Sequence, residues 1–153
     1  AEHALVGAAR LEATVVLKGN TTHIASQFGE EFTCAPATAW LATAGTGDVL
    51  SGIIGALLAN RMADETAPEV SIARIAAAGV VLHSVAAEKA SRGGPFLLAG
   101  LTDHIPQAVA ELLVFAGVVA PGWSLAHFTA NGWAGENRFS MGTWAGIFAA
   151  ATA

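Results

Sequence analysis

Residues 43–52, Thr-Ala-Gly-Thr-Gly-Asp-Val-Leu-Ser-Gly, place two glycines and one acid directly before an apolar run. Val49, Leu50, Ile53, Ile54, Leu57 and Leu58 recur at helical spacing, so the pattern predicts a helix over 47–60, starting near Gly47. The first N–H groups of a helix have no intrahelical partner, and its dipole adds a partial positive charge there. With glycines allowing close approach of backbone and ligand, such a mouth suits a phosphate or a developing anion. Asp48 beside it is costly for an anion site unless it takes a proton from the group that attacks the phosphate. The ordinary alternative is that Asp48 satisfies free N–H groups in a first turn, and on spacing alone both readings stay open. The glycines, spaced G-x-G-x-x-x-x-G, fit neither the dinucleotide fingerprint nor the Lys-Ser/Thr phosphate loop.

A second segment carries related chemistry. Thr14 to Leu17 reads as a strand buried on both faces of a parallel sheet, and Lys18-Gly19-Asn20 ends it with turn residues. A lysine at the carboxyl end of such a strand lies where open α/β sheets bind ligands, although a solvated lysine is the plainer reading.

Taken together, Val15 to Thr22 and Thr43 to Gly52 resemble the ATP- or ADP-dependent NAD(P)H-hydrate dehydratases of the ribokinase-like superfamily. The similarity extends through Ile53–Ala59, Val81-Leu82-His83 and Leu97 to Ala108, covering roughly residues 5–111. It implies a three-layer α/β/α sandwich with a mainly parallel sheet, of which this chain carries the carboxyl-terminal half. It implies nucleotide contacts at Lys18, Gly19, Asn20, Thr21, Thr22, Gly45, Thr46 and Gly47, with the last three forming an anion hole. Asp48 takes the place of the substrate-binding base. The implied substrates are hydrated NADH or NADPH together with ATP or ADP, Mg2+ arriving on the nucleotide. Residues 37–41 match a further nucleotide-side loop, in which this chain has Ala39 and Trp40 where the family often carries Asn and Gly.

Two other functions share the Gly-x-Gly-Asp mouth: a ribokinase-like kinase for a vitamin precursor or sugar, and a nucleotide-binding fragment without turnover. Leu17-Lys18-Gly19 paired with Ala44 to Asp48 favours the dehydratase.

The remaining elements are read from pattern. Residues 1–12 end a helix, and His23–Ser26 with Glu31–Cys34 form a hairpin-like pair around Gln27-Phe28-Gly29. Glu69 to Ser91 is a helix apolar nearly all round and therefore buried, with His83 expected as a packed core histidine. Thr102 or Asp103 is expected to cap a third helix with Pro106 in its first turn. The other histidines have neither ligand spacing nor acidic neighbours, so no protein metal site is expected.

The chain has 153 residues, of which only 12% are charged, about half the usual share. The net charge of −5 and the scattered basic residues exclude a nucleic-acid footprint. Cys34, the single cysteine, excludes an internal disulfide and fits a reducing cytoplasm. The opening residues lack the order of a signal peptide. Beyond residue 111 the composition changes: residues 112–153 hold only Glu136 and Arg138 as charges and three of the four tryptophans. Pro121, Ser124, His127, Thr129 and Asn131 interrupt this apolar tail, which argues against a membrane span. Its role, and whether the chain forms a homo-oligomer, stay open.

Overall fold

A computed structural model describes residues 1–35, 37–63 and 69–115. Helix α1 (Glu2–Leu11) leads into strands β1 (Val15–Leu17), β2 (Thr22–Ala25) and β3 (Glu31–Cys34); a 3-10 turn at Ala39–Leu41 precedes helices α2 (Thr46–Ala63), α3 (Ile72–Ser91), α4 (Leu98–Asp103) and α5 (Ile105–Phe115).

The three strands form one sheet in the order β1-β2-β3, and both pairings are antiparallel. The parallel arrangement expected for Thr14 to Leu17 is therefore not what these strands adopt. The physical reason is connection length. Residues 18–21 and 26–30 suffice for hairpins, whereas a parallel neighbour needs a crossover of about a dozen residues or more. In the second hairpin Ser26 Oγ accepts the N–H groups of Phe28 and Glu30, while Gly29 takes φ +85°. That is the turn chemistry expected around residues 27–29.

The strand period of two sorts the side chains into layers. The paired residues Val15 and Ala25 pack on Ala4, Leu5 and Ala8 of α1. The row Val16, Ile24 and Phe32 faces the other way, joining Cys34, Leu50, Ala73, Ala76, Ala77 and Val80. The sheet is thus sandwiched between α1 and the α2/α3 layer.

Helix α3 is the central element. Every residue from Ile75 to Ala87 is buried, as its all-round apolar sequence requires. It begins at Ile72, later than the Glu69 expected, because Ser71 supplies the cap: its side chain accepts the Arg74 N–H at 3.2 Å. Gly79 lets α2 approach closely, since a Cβ there would meet Ile54 Cγ1 at 2.7 Å. Leu101, Ala108 and Leu112 join Ile53 of α2 and Val81, Leu82 and Val85 of α3 in one apolar cluster, and an ion pair between Lys89 and Glu111 ties α3 to α5.

The expected third helix is α5, and a short helix that the pattern does not mark, α4, precedes it with His104 between them. Thr102 does not cap α5, because its hydroxyl donates back to the Ala99 carbonyl at 2.8 Å, and Asp103 is the last residue of α4. Pro106 does lie in the first turn of α5. That helix runs through Phe115; residues 116–153, and with them most of the apolar tail, lie outside the described residues. Among the described residues no helix is long and apolar enough to cross a membrane.

Candidate functional site

The site begins with the turn that delivers the chain to α2. Thr43 Oγ1 donates to the Trp40 carbonyl, and Thr46 Oγ1 lies 2.8 Å from the Leu41 carbonyl and 2.9 Å from that of Thr43. Thr46 is 2% exposed, so its hydroxyl is turned into the protein as a strut. Gly45 takes φ +88°, a conformation that favours glycine. Leu98 of α4 fills the space above it, with Cδ2 2.6 Å from where a Gly45 Cβ would sit.

This turn leaves an uneven set of donors. The N–H of Thr46 reaches the Thr43 carbonyl, and those of Asp48 and Val49 reach the Gly45 carbonyl. Among the described residues, the N–H groups of Gly45 and Gly47 have no acceptor. The two glycines thus add free donors at the positive end of an 18-residue helix.

Lys18 joins this set from the end of β1. Its Nζ lies 3.5 Å from the position a Cβ on Gly47 would occupy. It is exposed and forms no ion pair among the described residues. The strand alternation accounts for the direction: Lys18 follows Val16 by two and so emerges on the face that carries α2 and α3. Gly19, Asn20 and Thr21 form the rest of the hairpin turn, Thr22 opens β2, and none of them hydrogen-bonds to residues 45–48. Lys18 is therefore the polar residue that brings the first segment to the α2 mouth, above the apolar cluster that Val16 and Leu50 of the two segments share.

Asp48 lies in the first turn of α2 and is exposed. Its carboxylate accepts no hydrogen bond and forms no ion pair among the described residues, so it does not act as the cap that its position allows.

The residue that sequence reasoning left out of the site is His83. It is the core histidine expected, 3% exposed on α3, but its Nε2 lies 2.8 Å from the Thr46 carbonyl, at the mouth itself. Burial lowers its pKa, the Thr46 bond opposes that shift, and the Lys18 charge adds to the lowering. The ring is therefore neutral at pH 7 and, because a carbonyl only accepts, its proton sits on Nε2. No sequence spacing signals this contact, since 37 positions separate the partners. Among the other reactive groups, burial pushes the Cys34 thiol up to about 12, which makes it a core residue and not a nucleophile. No cluster of three or more His, Cys, Asp or Glu could hold a metal among the described residues.

The layered arrangement of these elements is that of the ribokinase-like α/β fold. Among solved structures it is similar to the ADP/ATP-dependent NAD(P)H-hydrate dehydratase from Bacillus subtilis co-crystallised with ATP and Mg2+, with a TM-score of 0.61 and 32% identity, covering 72% of this chain and 38% of that one. A family model described as NAD(P)H-hydrate dehydratase matches residues 2–107. The chain belongs to the NAD(P)H-hydrate dehydratase family. Curated relatives include the bifunctional NAD(P)H-hydrate repair enzyme of Mycobacterium tuberculosis, 55% identical over 60 residues that make up 36% of this chain and 13% of that protein. Another is the ADP-dependent (S)-NAD(P)H-hydrate dehydratase of Neisseria meningitidis, 47% identical over 76 residues, or 50% of this chain and 23% of that protein. The chain thus spans a minor part of the length of each of these relatives.

Proposed function

We propose that the chain carries the nucleotide-side half of a site that dehydrates NADH or NADPH hydrate at the expense of ATP or ADP. The observation that carries this reading is the convergence at the α2 mouth of the Lys18 ammonium, two glycine N–H groups and a carboxylate, none of which has a hydrogen-bond or ion-pair partner among the described residues. Ammonium and amides supply positive potential for a phosphoryl group whose charge spreads over its oxygens. The carboxylate supplies a proton acceptor at the same place.

In the reaction, Asp48 holds the hydroxyl of the hydrated nicotinamide ring and takes its proton as that oxygen bonds to the terminal phosphorus and the nucleotide's bridging oxygen leaves. The ring C–O bond then breaks with phosphate as leaving group, driven by the ring nitrogen's lone pair. Loss of a proton from the adjacent carbon restores the dihydronicotinamide. The balance is hydrate plus ATP giving reduced coenzyme, ADP, phosphate and one proton. The N–H groups of Gly45 and Gly47 and the Lys18 ammonium bind the transferring phosphoryl, while Gly19 to Thr22 lie on the ribose and phosphate side of the nucleotide. Mg2+, when present, neutralises phosphate charge; with no metal cluster among the described residues, it would be held chiefly by the phosphates and water. A buried, unreactive Cys34 is in keeping with a cytoplasmic setting.

The test is the return of absorbance at the reduced-nicotinamide band when NADH hydrate is mixed with the chain and ATP or ADP. Recovery that requires both chain and nucleotide supports the reading. Indifference to the hydrate with phosphorylation of a vitamin precursor or sugar would assign the same mouth to a kinase, and nucleotide binding with no turnover would assign it to a non-catalytic module.

A further inference from the structure

We infer that His83 is a positioning residue for the phosphate, acting through the peptide unit between Thr46 and Gly47; this rests on the nucleotide-binding reading above. The Thr46 carbonyl and the Gly47 N–H belong to one planar trans peptide, so they point in opposite directions and turn together. His83 Nε2–H donates to the carbonyl end at 2.8 Å. The other end is the Gly47 N–H, which has no acceptor among the described residues and lies beside the Lys18 ammonium.

Three contacts fix this peptide. Thr46 Oγ1 is held between the Leu41 and Thr43 carbonyls, and His83 grips the carbonyl from within the core. The histidine is itself enclosed, 3% exposed on a helix whose residues from Ile75 to Ala87 are all buried. A hydrogen bond at a carbonyl also polarises its peptide, so the N–H at the far end becomes a stronger donor. His83 thereby aims the Gly47 N–H out of the mouth and strengthens it without touching the nucleotide.

Substitutions separate this role from packing. In His83→Gln the side-chain amide nitrogen takes the place of Nε2 and can still donate, whereas His83→Leu fills space and donates nothing. ADP and ATP should bind His83→Leu about tenfold more weakly, in line with the loss of one hydrogen bond to a charged group, while adenosine binds as in wild type. His83→Gln should recover most of that loss. Equal ADP affinity in wild type and His83→Leu overturns the inference, as does a Gln variant no better than Leu.

Two ligand-free NMR measurements keep the inference separate from the fate of the functional reading. The ring nitrogens of His83 should report the neutral Nε2–H tautomer, and the Gly47 amide proton should move upfield in His83→Leu and return in His83→Gln. A chain that binds no nucleotide defeats the functional reading. A proton on Nδ1, or a Gly47 amide indifferent to residue 83, defeats the positioning role whatever nucleotide does.

Discussion

Lys18 Nζ stands 3.5 Å from the point that a Cβ on Gly47 would occupy, so the ammonium of one segment lies directly over the glycine of the other. That distance is an ordinary van der Waals contact. A side chain at residue 47 should therefore be tolerated by the fold yet stand where a phosphate would sit. Gly47→Val should keep the helical circular dichroism of wild type and lose the thermal stabilisation produced by ADP or ATP. An unchanged nucleotide-induced shift would place the phosphates elsewhere.

Gly45 is constrained in two ways, by φ +88° and by Leu98 Cδ2 at 2.6 Å from a notional Cβ. Gly45→Ala should lower the unfolding free energy by about 1–2 kcal/mol from the backbone alone, with a further loss from displacing Leu98. Adding Leu98→Ala should remove the steric share and leave the backbone share. Urea unfolding of the two variants beside Leu98→Ala measures the difference. Full recovery in the double variant would mean that the backbone conformation carries no cost.

Much of this architecture was legible from local chemistry. The Gln27–Gly29 hairpin, the α2 segment and the buried α3 follow from turn residues and apolar period, and they occur where the pattern puts them. The strand direction was misread at Thr14 to Leu17, because an apolar run looks alike in parallel and antiparallel sheets; the four-residue connection that follows decides between them. The apolar pattern starts α3 at Glu69, whereas Ser71 caps it and the helix begins at Ile72. The two segments of the candidate site were legible as motifs. What joins them was not, since Lys18 over Gly47 and His83 under Thr46 depend on how the sheet and α3 pack against α2, and such long-range contacts leave no spacing in the chain.

His83 makes stability depend on pH in a definite direction. Burial holds its pKa below the ordinary 6.5, with the Lys18 charge contributing. Between the lowered native value and 6.5 the unfolded chain binds a proton that the native chain does not, so stability falls as the pH drops through that window. Above 6.5 this contribution is fully present. Denaturant midpoints measured at about pH 7.5 and about pH 5 should differ more for wild type than for His83→Gln, in which this titration is absent. Equal acid sensitivity in the two proteins would assign the effect to other groups.

Asp48 tests the central claim most directly, because its exposed carboxylate makes no hydrogen bond that a structural role would require. Asp48→Asn keeps the size of the side chain and remains compatible with a helix first turn, so the unfolding free energy should stay within about 1 kcal/mol of wild type. Nucleotide should still bind. The decisive measurement is the rate of NADH-hydrate repair with saturating ATP or ADP, in a protein shown to repair the hydrate with Asp48 intact. The account predicts a loss on the order of 10²–10⁴ for a missing general base. Repair by Asp48→Asn at the wild-type rate would contradict it.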